Sequence, residues 1–353
     1  LRKFKDWFYE RTGFDDFINF LKKKNVPRHM YTFWYYWGGA ILVLFFIQII
    51  TGIMLLLYYK PTVEAAHKSV VKIMNEVPLG WIIRSIHRWS AYLMIAFVFV
   101  HLFSTLILKA YRKPREITWI TGCLLFIITL AFGFTGYLLP WDEVSLAATK
   151  VGTDIPRTIP IIGIWITKLL RGGEDVTEET LTRFFAFHVC VLPLLIFAII
   201  GIHLILVQKH GMSIPISIEK KKNTIPHIPF YPNFLYREII FWLLIVGIVI
   251  TLAFLFPASL GKEADLMAPT PKGVKPEWYF LFLFQTLKLF PSKILSIPGD
   301  TFAVLLILIA GIIFFFLPFL DKKPAGKSGK LITYFVYLLI IYMIVMTIWG
   351  YVS

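Results

Sequence analysis

Apolar residues fall in seven long runs separated by polar, Gly- and Pro-containing segments: roughly Phe33–Tyr59, Trp81–Leu108, Trp119–Leu139, Phe184–Val207, Ile239–Phe256, Thr301–Phe319 and Leu331–Val352. About 20 apolar residues in helical geometry cross the hydrocarbon of a bilayer. The pattern therefore predicts an all-α integral membrane protein with seven transmembrane helices. Ahead of the first run, residues 1–29 mix Trp7, Phe8, Phe14, Phe17, Ile18 and Leu21 with Lys and Arg. That is the pattern of an amphipathic segment at the membrane interface, without the apolar core of a cleavable signal peptide. Between the third and fourth runs, Trp141–Arg171 is rich in Ile, Pro and Trp and reads as a short amphipathic helical hairpin.

Composition supports this reading. Of 353 residues 58% are hydrophobic and 16% charged, and the mean hydropathy is +0.72, outside the range of soluble domains. The net charge of +15 would suit nucleic acid if it formed one patch, but it follows the membrane instead. With the N-terminus cytoplasmic, the segments on that side (1–29, 109–116, 209–238 and 321–330) hold 21 of the 36 Lys and Arg and 8 of the 21 acidic residues. This is the positive-inside distribution, and no nucleic-acid partner is expected. Seven crossings then place the C-terminus on the opposite, positive side of a bacterial or archaeal cytoplasmic membrane. Cys123 and Cys190 both lie inside apolar runs, so neither a disulfide framework nor a CxxC site is expected.

Four histidines stand inside the apolar runs: His87 and His101, 14 positions apart in the second, and His188 and His203, 15 apart in the fourth. At about 1.5 Å and 100° per residue, each pair spans about 21–22 Å and returns to one side of its helix. Both runs start on the positive side, so topology pairs His87 with His188 near that face and His101 with His203 near the other. Two stacked bis-histidine pairs are the axial ligation of two haem b irons. The first four helices are accordingly read as a dihaem four-helix bundle. Gly38 and Gly52, and Gly122 and Gly136, repeat the 14-residue interval on the first and third runs. Gly38 and Gly122 should lie level with His101–His203, and Gly52 and Gly136 with His87–His188, where a missing side chain lets a backbone approach a flat macrocycle. Arg84 and Arg88 flank His87 as candidate partners for haem propionates. His29, His67, His210 and His227 fall in loops without a matching interval and read as surface or interfacial.

The stretches GWIIRSIHRWSAYLMIAFVFVH (Gly80–His101), KPREITWITG (Lys113–Gly122), FGFTGYLLPWD (Phe132–Asp142) and LTRFFAFHVCVLPLL (Leu181–Leu195), with PEWY at Pro276–Tyr279, resemble cytochrome b of the cytochrome bc family. The 15-residue second interval resembles the plastid-type b/f branch. Seven runs match the four spans of its cytochrome b plus the three of its separate subunit IV, here fused on one chain. The domains expected are an interfacial segment (1–29), a dihaem bundle (30–210) with the hairpin 141–171, a negative-side linker (211–235) and a subunit IV-like region (236–353) carrying the PEWY loop. The branch attaches an extra c-type haem to a cysteine early in the first span. Tyr35 or Tyr36 stands there, so no covalent third haem is expected.

The resemblance implies a dihaem subunit of a quinol:cytochrome c oxidoreductase. Quinol is oxidised in two one-electron branches at the positive side, with transmembrane electron transfer, quinone reduction at the negative side and proton translocation. It implies Pro276, Glu277, Trp278 and Tyr279 as the quinol-oxidation residues, with Glu277 accepting a quinol proton, and Arg115 among the cofactor-binding residues. It also implies a Rieske iron–sulfur protein, a c-type cytochrome subunit or acceptor, and a homodimeric complex. A dihaem membrane anchor of a quinone-linked dehydrogenase or hydrogenase is the alternative; it predicts four or five spans and no PEWY loop.

Overall fold

A computed structural model of the chain describes residues 2–221, 224–269, 271 and 273–353. Leu1 of the N-terminal segment, Lys222 and Asn223 of the linker, and Thr270 and Lys272 of the loop before Pro276 lie outside the described residues.

The chain is helical almost throughout. Short amphipathic helices α1 (Arg2–Thr12) and α2 (Phe14–Lys23) precede the first long helix, α3 (Tyr36–Leu56). Then follow α4 (Ala66–Asn75), α5 (Gly80–Ile107), α6 (Glu116–Leu138), α7 (Glu143–Arg157), α8 (Gly163–Arg171), α9 (Glu178–Ala186) and α10 (Leu192–His210). After a single turn, α11 (Ile216–Glu219), come α12 (Leu235–Leu255), α13 (Trp278–Lys288), α14 (Gly299–Phe315), α15 (Leu317–Leu320) and α16 (Lys327–Val352). Two small antiparallel ladders interrupt this order, one pairing residues Asn25–Pro27 with His227–Pro229. That ladder fastens the N-terminal segment to the segment leading into α12.

Among the described residues, six helical stretches are long and apolar enough to cross a membrane. The run predicted over Thr301–Phe319 forms a shorter helix of 17 residues, α14. The reason is local: Pro318 lacks an N–H, so the α-helical hydrogen bond back to residue 314 cannot form. Phe316 leaves helical geometry, and one turn, α15, follows.

The long helices pack in pairs, α3 against α5 and α6 against α10, with α12 laid across α3 and α5. Ala40, Leu44, Phe45, Met94, Ile128, Ile196, Ile245 and Val249 close a core contributed by all five. Outward faces stay apolar, as Ile240, Leu243 and Leu338 show by being about two-thirds exposed, which suits a hydrocarbon solvent rather than water. Helices α7 and α8 form a hairpin stapled by the buried Arg171. Its guanidinium donates to Thr153 Oγ1 (2.7 Å), the Glu174 carbonyl (2.8 Å) and the Lys150 carbonyl (2.8 Å), and pairs with Asp154 at 2.9 Å.

The C-terminal region is tied to α5 and α6 at both ends. Near one end, Lys109 adopts φ +58° and buries its ammonium 4.0 Å from Asp321. Tyr111 donates to the same carboxylate at 2.7 Å. A non-glycine residue in the left-handed region costs about 1 kcal/mol; here it sits beside an ion pair shielded from water. Burial lowers the Lys109 pKa, and the facing Asp321 opposes that shift without cancelling it. At the other end, the segment after α12 is stitched to the start of α5. Ser85 Oγ accepts from the Ala258 N–H at 2.9 Å, and Trp89 donates to the Phe256 carbonyl at 2.7 Å. This clasp sets where the chain begins its return toward Pro276.

Candidate functional site

Each of the four half-buried histidines faces one of the four glycines across a helix pair. A Cβ placed on Gly52 would stand 3.4 Å from His87 Cε1, one on Gly38 3.7 Å from His101 Cε1, and one on Gly122 3.5 Å from His203 Cε1. On Gly136 it would collide with His188, at 2.6 Å from Cε1. The structure thus brings Gly52 and Gly136 to the level of His87 and His188, and Gly38 and Gly122 to that of His101 and His203. The His87 and His188 rings face each other with centroids 6.4 Å apart. Two imidazoles bonded to one metal at about 2 Å from each nitrogen have ring centres about 6 Å apart, so the spacing suits a shared metal.

The orientation of three rings is set by threonines that immediately precede the glycines. Thr51 Oγ1 lies 2.9 Å from His87 Nδ1, Thr121 Oγ1 2.9 Å from His203 Nδ1, and Thr135 Oγ1 3.2 Å from His188 Nδ1. Each hydroxyl already donates its proton along its own helix, to Ile47, to Thr118 and to Ala131 respectively. Its oxygen is left to accept, so each imidazole carries its proton on Nδ1 and keeps the Nε2 lone pair for a ligand. The fourth position differs. Trp37 precedes Gly38, and His101 Nδ1 is buried with no hydrogen-bond partner among the described residues.

The unequal histidine intervals have a structural cause. Between α9 and α10, residues Phe187–Val191 form a π turn that contains His188. A π turn takes up one residue more than an α turn. The 15 residues from His188 to His203 therefore perform the same task as the 14 from His87 to His101.

The arginines are engaged by the protein. Arg84 donates to the Ala258 and Ser259 carbonyls at 2.9 and 3.0 Å, forming part of the clasp described above. Arg88 donates to the Tyr92 hydroxyl. Arg115 donates to the His210 carbonyl at 2.9 Å at the end of α10. Of the loop histidines, His29 bonds Tyr35 and His67 bonds the Gly261 carbonyl.

Pro276–Tyr279 enters α13, with Glu277 as its N-cap residue. The Glu277 side chain makes no capping bond and turns instead toward α5, where the Tyr92 hydroxyl lies 2.8 Å from both carboxylate oxygens. The nearby lysines are occupied elsewhere: Lys275 bonds the Tyr351 carbonyl, and Lys288 sits over the Phe284 ring. Tyr279 is buried, its hydroxyl so close to Gly133 that a Cβ there would stand 2.7 Å away. Trp278 and Tyr279 line an apolar cleft of about 710 Å³ together with Phe99, Phe103, Phe282 and Ile340.

Glu238 and the threonines escaped the sequence reading. Glu238 sits one residue before the predicted fifth run, yet it is buried, with its carboxylate packed against Gly39 close to Trp242. Tyr35 donates to the Ser213 carbonyl at 2.8 Å, and Tyr36 is stacked on Phe234 with ring centres 4.8 Å apart. The threonines had a signal, a Thr-Gly dipeptide at 51–52, 121–122 and 135–136.

The four glycine contacts make unequal demands. On the expectation that His87 and His188 hold a haem and His101 and His203 another, Gly136→Ala should displace the His188 ring and remove or shift the absorption band of the His87–His188 level. Gly38→Ala, at ordinary van der Waals distance, is expected to leave both bands in place. Equal tolerance of the two substitutions in haem content and spectrum would contradict this ranking.

Comparison with known proteins accords with these features. Residues 21–211 match the family described as Cytochrome b/b6/petB, and residues 263–353 that described as Cytochrome b(C-terminal)/b6/petD. The chain belongs to the cytochrome b family. It carries the N-terminal and the subunit IV-like C-terminal regions together. It is similar to a cytochrome bc complex cytochrome b subunit of Chlorobaculum thiosulfatiphilum, 43% identical over 97% of this chain and 79% of the relative. A cytochrome b6 of Mastigocladus laminosus is 46% identical over 60% of this chain and 98% of its own length. A solved structure titled Hyperthermophilic respiratory Complex III aligns over 98% of this chain and 90% of that chain, with a TM-score of 0.86 and 31% identity. Cytochrome b family proteins bind haem b. The chain is thus a multi-pass membrane protein of the cytochrome bc/b6f type, which supports a quinol oxidoreductase role.

Proposed function

We propose that the chain is the dihaem subunit of a quinol:cytochrome c-type oxidoreductase in a bacterial cytoplasmic membrane, with its N-terminus on the negative side. His87 and His188 would hold one haem b, and His101 and His203 the other. The observation that carries this reading is the fourfold match of histidine to glycine, at two levels, with three imidazoles oriented by threonine. Bound haems supply one-electron transfer between the two faces of the membrane.

The chain's own residues do the rest. Glu277 is placed to take a proton from a quinol seated between the Pro276–Tyr279 segment and the α7–α8 hairpin. The apolar cleft beside Trp278 and Tyr279 offers space for a hydrocarbon tail. At the opposite level, Glu238, Tyr35 and Arg115 supply ionisable groups for a second quinone site. Positive-side quinol oxidation in two one-electron branches also requires a second one-electron acceptor, which is the role proposed for a Rieske iron–sulfur partner. A c-type cytochrome and a homodimeric assembly complete the proposed complex.

A reduced-minus-oxidised optical spectrum of the purified complex tests the reading. Two b-type haem bands, both reduced on addition of quinol, are the expected result. A complex without haem absorption would overturn it.

A further inference from the structure

Tyr92 stands one helical turn beyond Arg88 on α5 and lies between that guanidinium and the Glu277 carboxylate. Arg88 Nε and Nη2 donate to its oxygen at 3.2 and 3.1 Å, and its own hydroxyl lies 2.8 Å from each Glu277 oxygen. The guanidinium also packs over the Tyr92 ring at 5.4 Å, and the Trp89 ring meets that ring edge-on at 5.7 Å. The phenol is therefore held from two sides before it meets the carboxylate. Glu277 begins a helix without capping it, and among the described residues its carboxylate is hydrogen-bonded by Tyr92.

We propose that Tyr92 is a positioning residue that keeps the Glu277 carboxylate aimed at α5 and ready to accept a proton. This rests on the reading of Glu277 as the quinol's proton acceptor. A hydroxyl that donates to a carboxylate fixes the direction in which it points, and donation from Arg88 to the phenolic oxygen strengthens that bond in turn. In the step itself, a quinol O–H bond breaks and an O–H bond forms on Glu277. The accompanying electron leaves to the one-electron acceptors of the proposed activity. Protonated Glu277 no longer offers Tyr92 a charged acceptor, so the contact that held the side chain weakens as soon as the proton arrives. The carboxyl group is then free to turn away from α5 and release the proton elsewhere.

Other ionisable groups face this cluster. Arg84 on α5, Tyr137 on α6 and Tyr279 on α13 each lie within electrostatic reach of at least one member, and Asp142 at the start of α7 within reach of Arg84 and Tyr137. Removing the Tyr92 hydroxyl leaves all four in place, so a change in kcat reports on the hydroxyl itself.

The test is Tyr92→Phe in the complete complex, with steady-state kcat and KM of quinol oxidation measured. The two haem bands are expected to remain. The kcat should fall about tenfold with KM little changed, the scale set by one hydrogen bond to a charged group. In a Glu277→Gln background the same substitution should change the rate less than about twofold, because the group it positions is gone. Arg88→Gln, which leaves the phenol unpolarised, should lower kcat in the same way. Unchanged kcat in both single variants, with haem bands intact, would overturn the role of Tyr92. A wild-type complex that bound haem but oxidised no quinol would instead remove the functional reading beneath it.

Discussion

A His188→Ala variant inserted in the membrane is expected to lose the haem at the His87–His188 level and keep the other. The argument is geometric. His188 and His87 meet ring to ring at one level, while His101 and His203 are served by their own pair of glycines about 20 Å along the helices. Between the levels lies a core of Ala40, Leu44, Met94, Ile128 and Ile196, supplied by the same helices but independent of the imidazoles. Losing one ligand leaves that core intact, so the helices have reason to stay in register. The measurement is the reduced-minus-oxidised spectrum together with the haem-to-protein ratio, which should fall from two to one. Retention of both haems would remove His188 from the ligands. Loss of both from a stably inserted protein would show that the levels are coupled.

Glu277→Gln is expected to slow quinol oxidation at least about 100-fold, the lower end of what a positioned general base contributes. Glutamine keeps the size of the side chain and can still accept a hydrogen bond from Tyr92, so the fold of the Pro276–Tyr279 turn should survive. It cannot take up a proton. The loss should therefore appear in kcat more than in KM, with both haem bands unchanged and still reducible by a chemical reductant. A rate within about threefold of wild type would show that the quinol proton leaves by another route.

Much of this arrangement is legible in the order of residues, and what is not has identifiable causes. Long apolar runs announce helices because a bilayer demands them, and the repeated 14-residue interval announces facing surfaces because the α-helix is regular. The pairing of Gly52 with His87 or of Gly122 with His203 needs nothing further. Arg84 is different. Its nearness to His87 suggests a propionate partner, but nothing near it in sequence announces that its guanidinium bonds the Ala258 and Ser259 carbonyls, more than 170 residues away. Tyr92 could not be linked to Glu277 either, since nothing in a single chain tells which aromatic on α5 will meet a carboxylate 185 positions later. The Lys109–Tyr111–Asp321 cluster hides in the same way, its members drawn from a loop and from the turn following α15. Regular structure is written locally, and contacts between distant segments are not.

An α-helix cannot gain a residue without turning everything beyond it by about 100°. The additional residue between His188 and His203 escapes that rule because the π turn at Phe187–Val191 absorbs it. Helix α5 is continuous from Gly80 to Ile107. An insertion between His87 and His101 would swing one imidazole away from its glycine with no wider turn to take up the change. The two histidine helices present matching imidazoles, but only one of them has a place where its length has been adjusted.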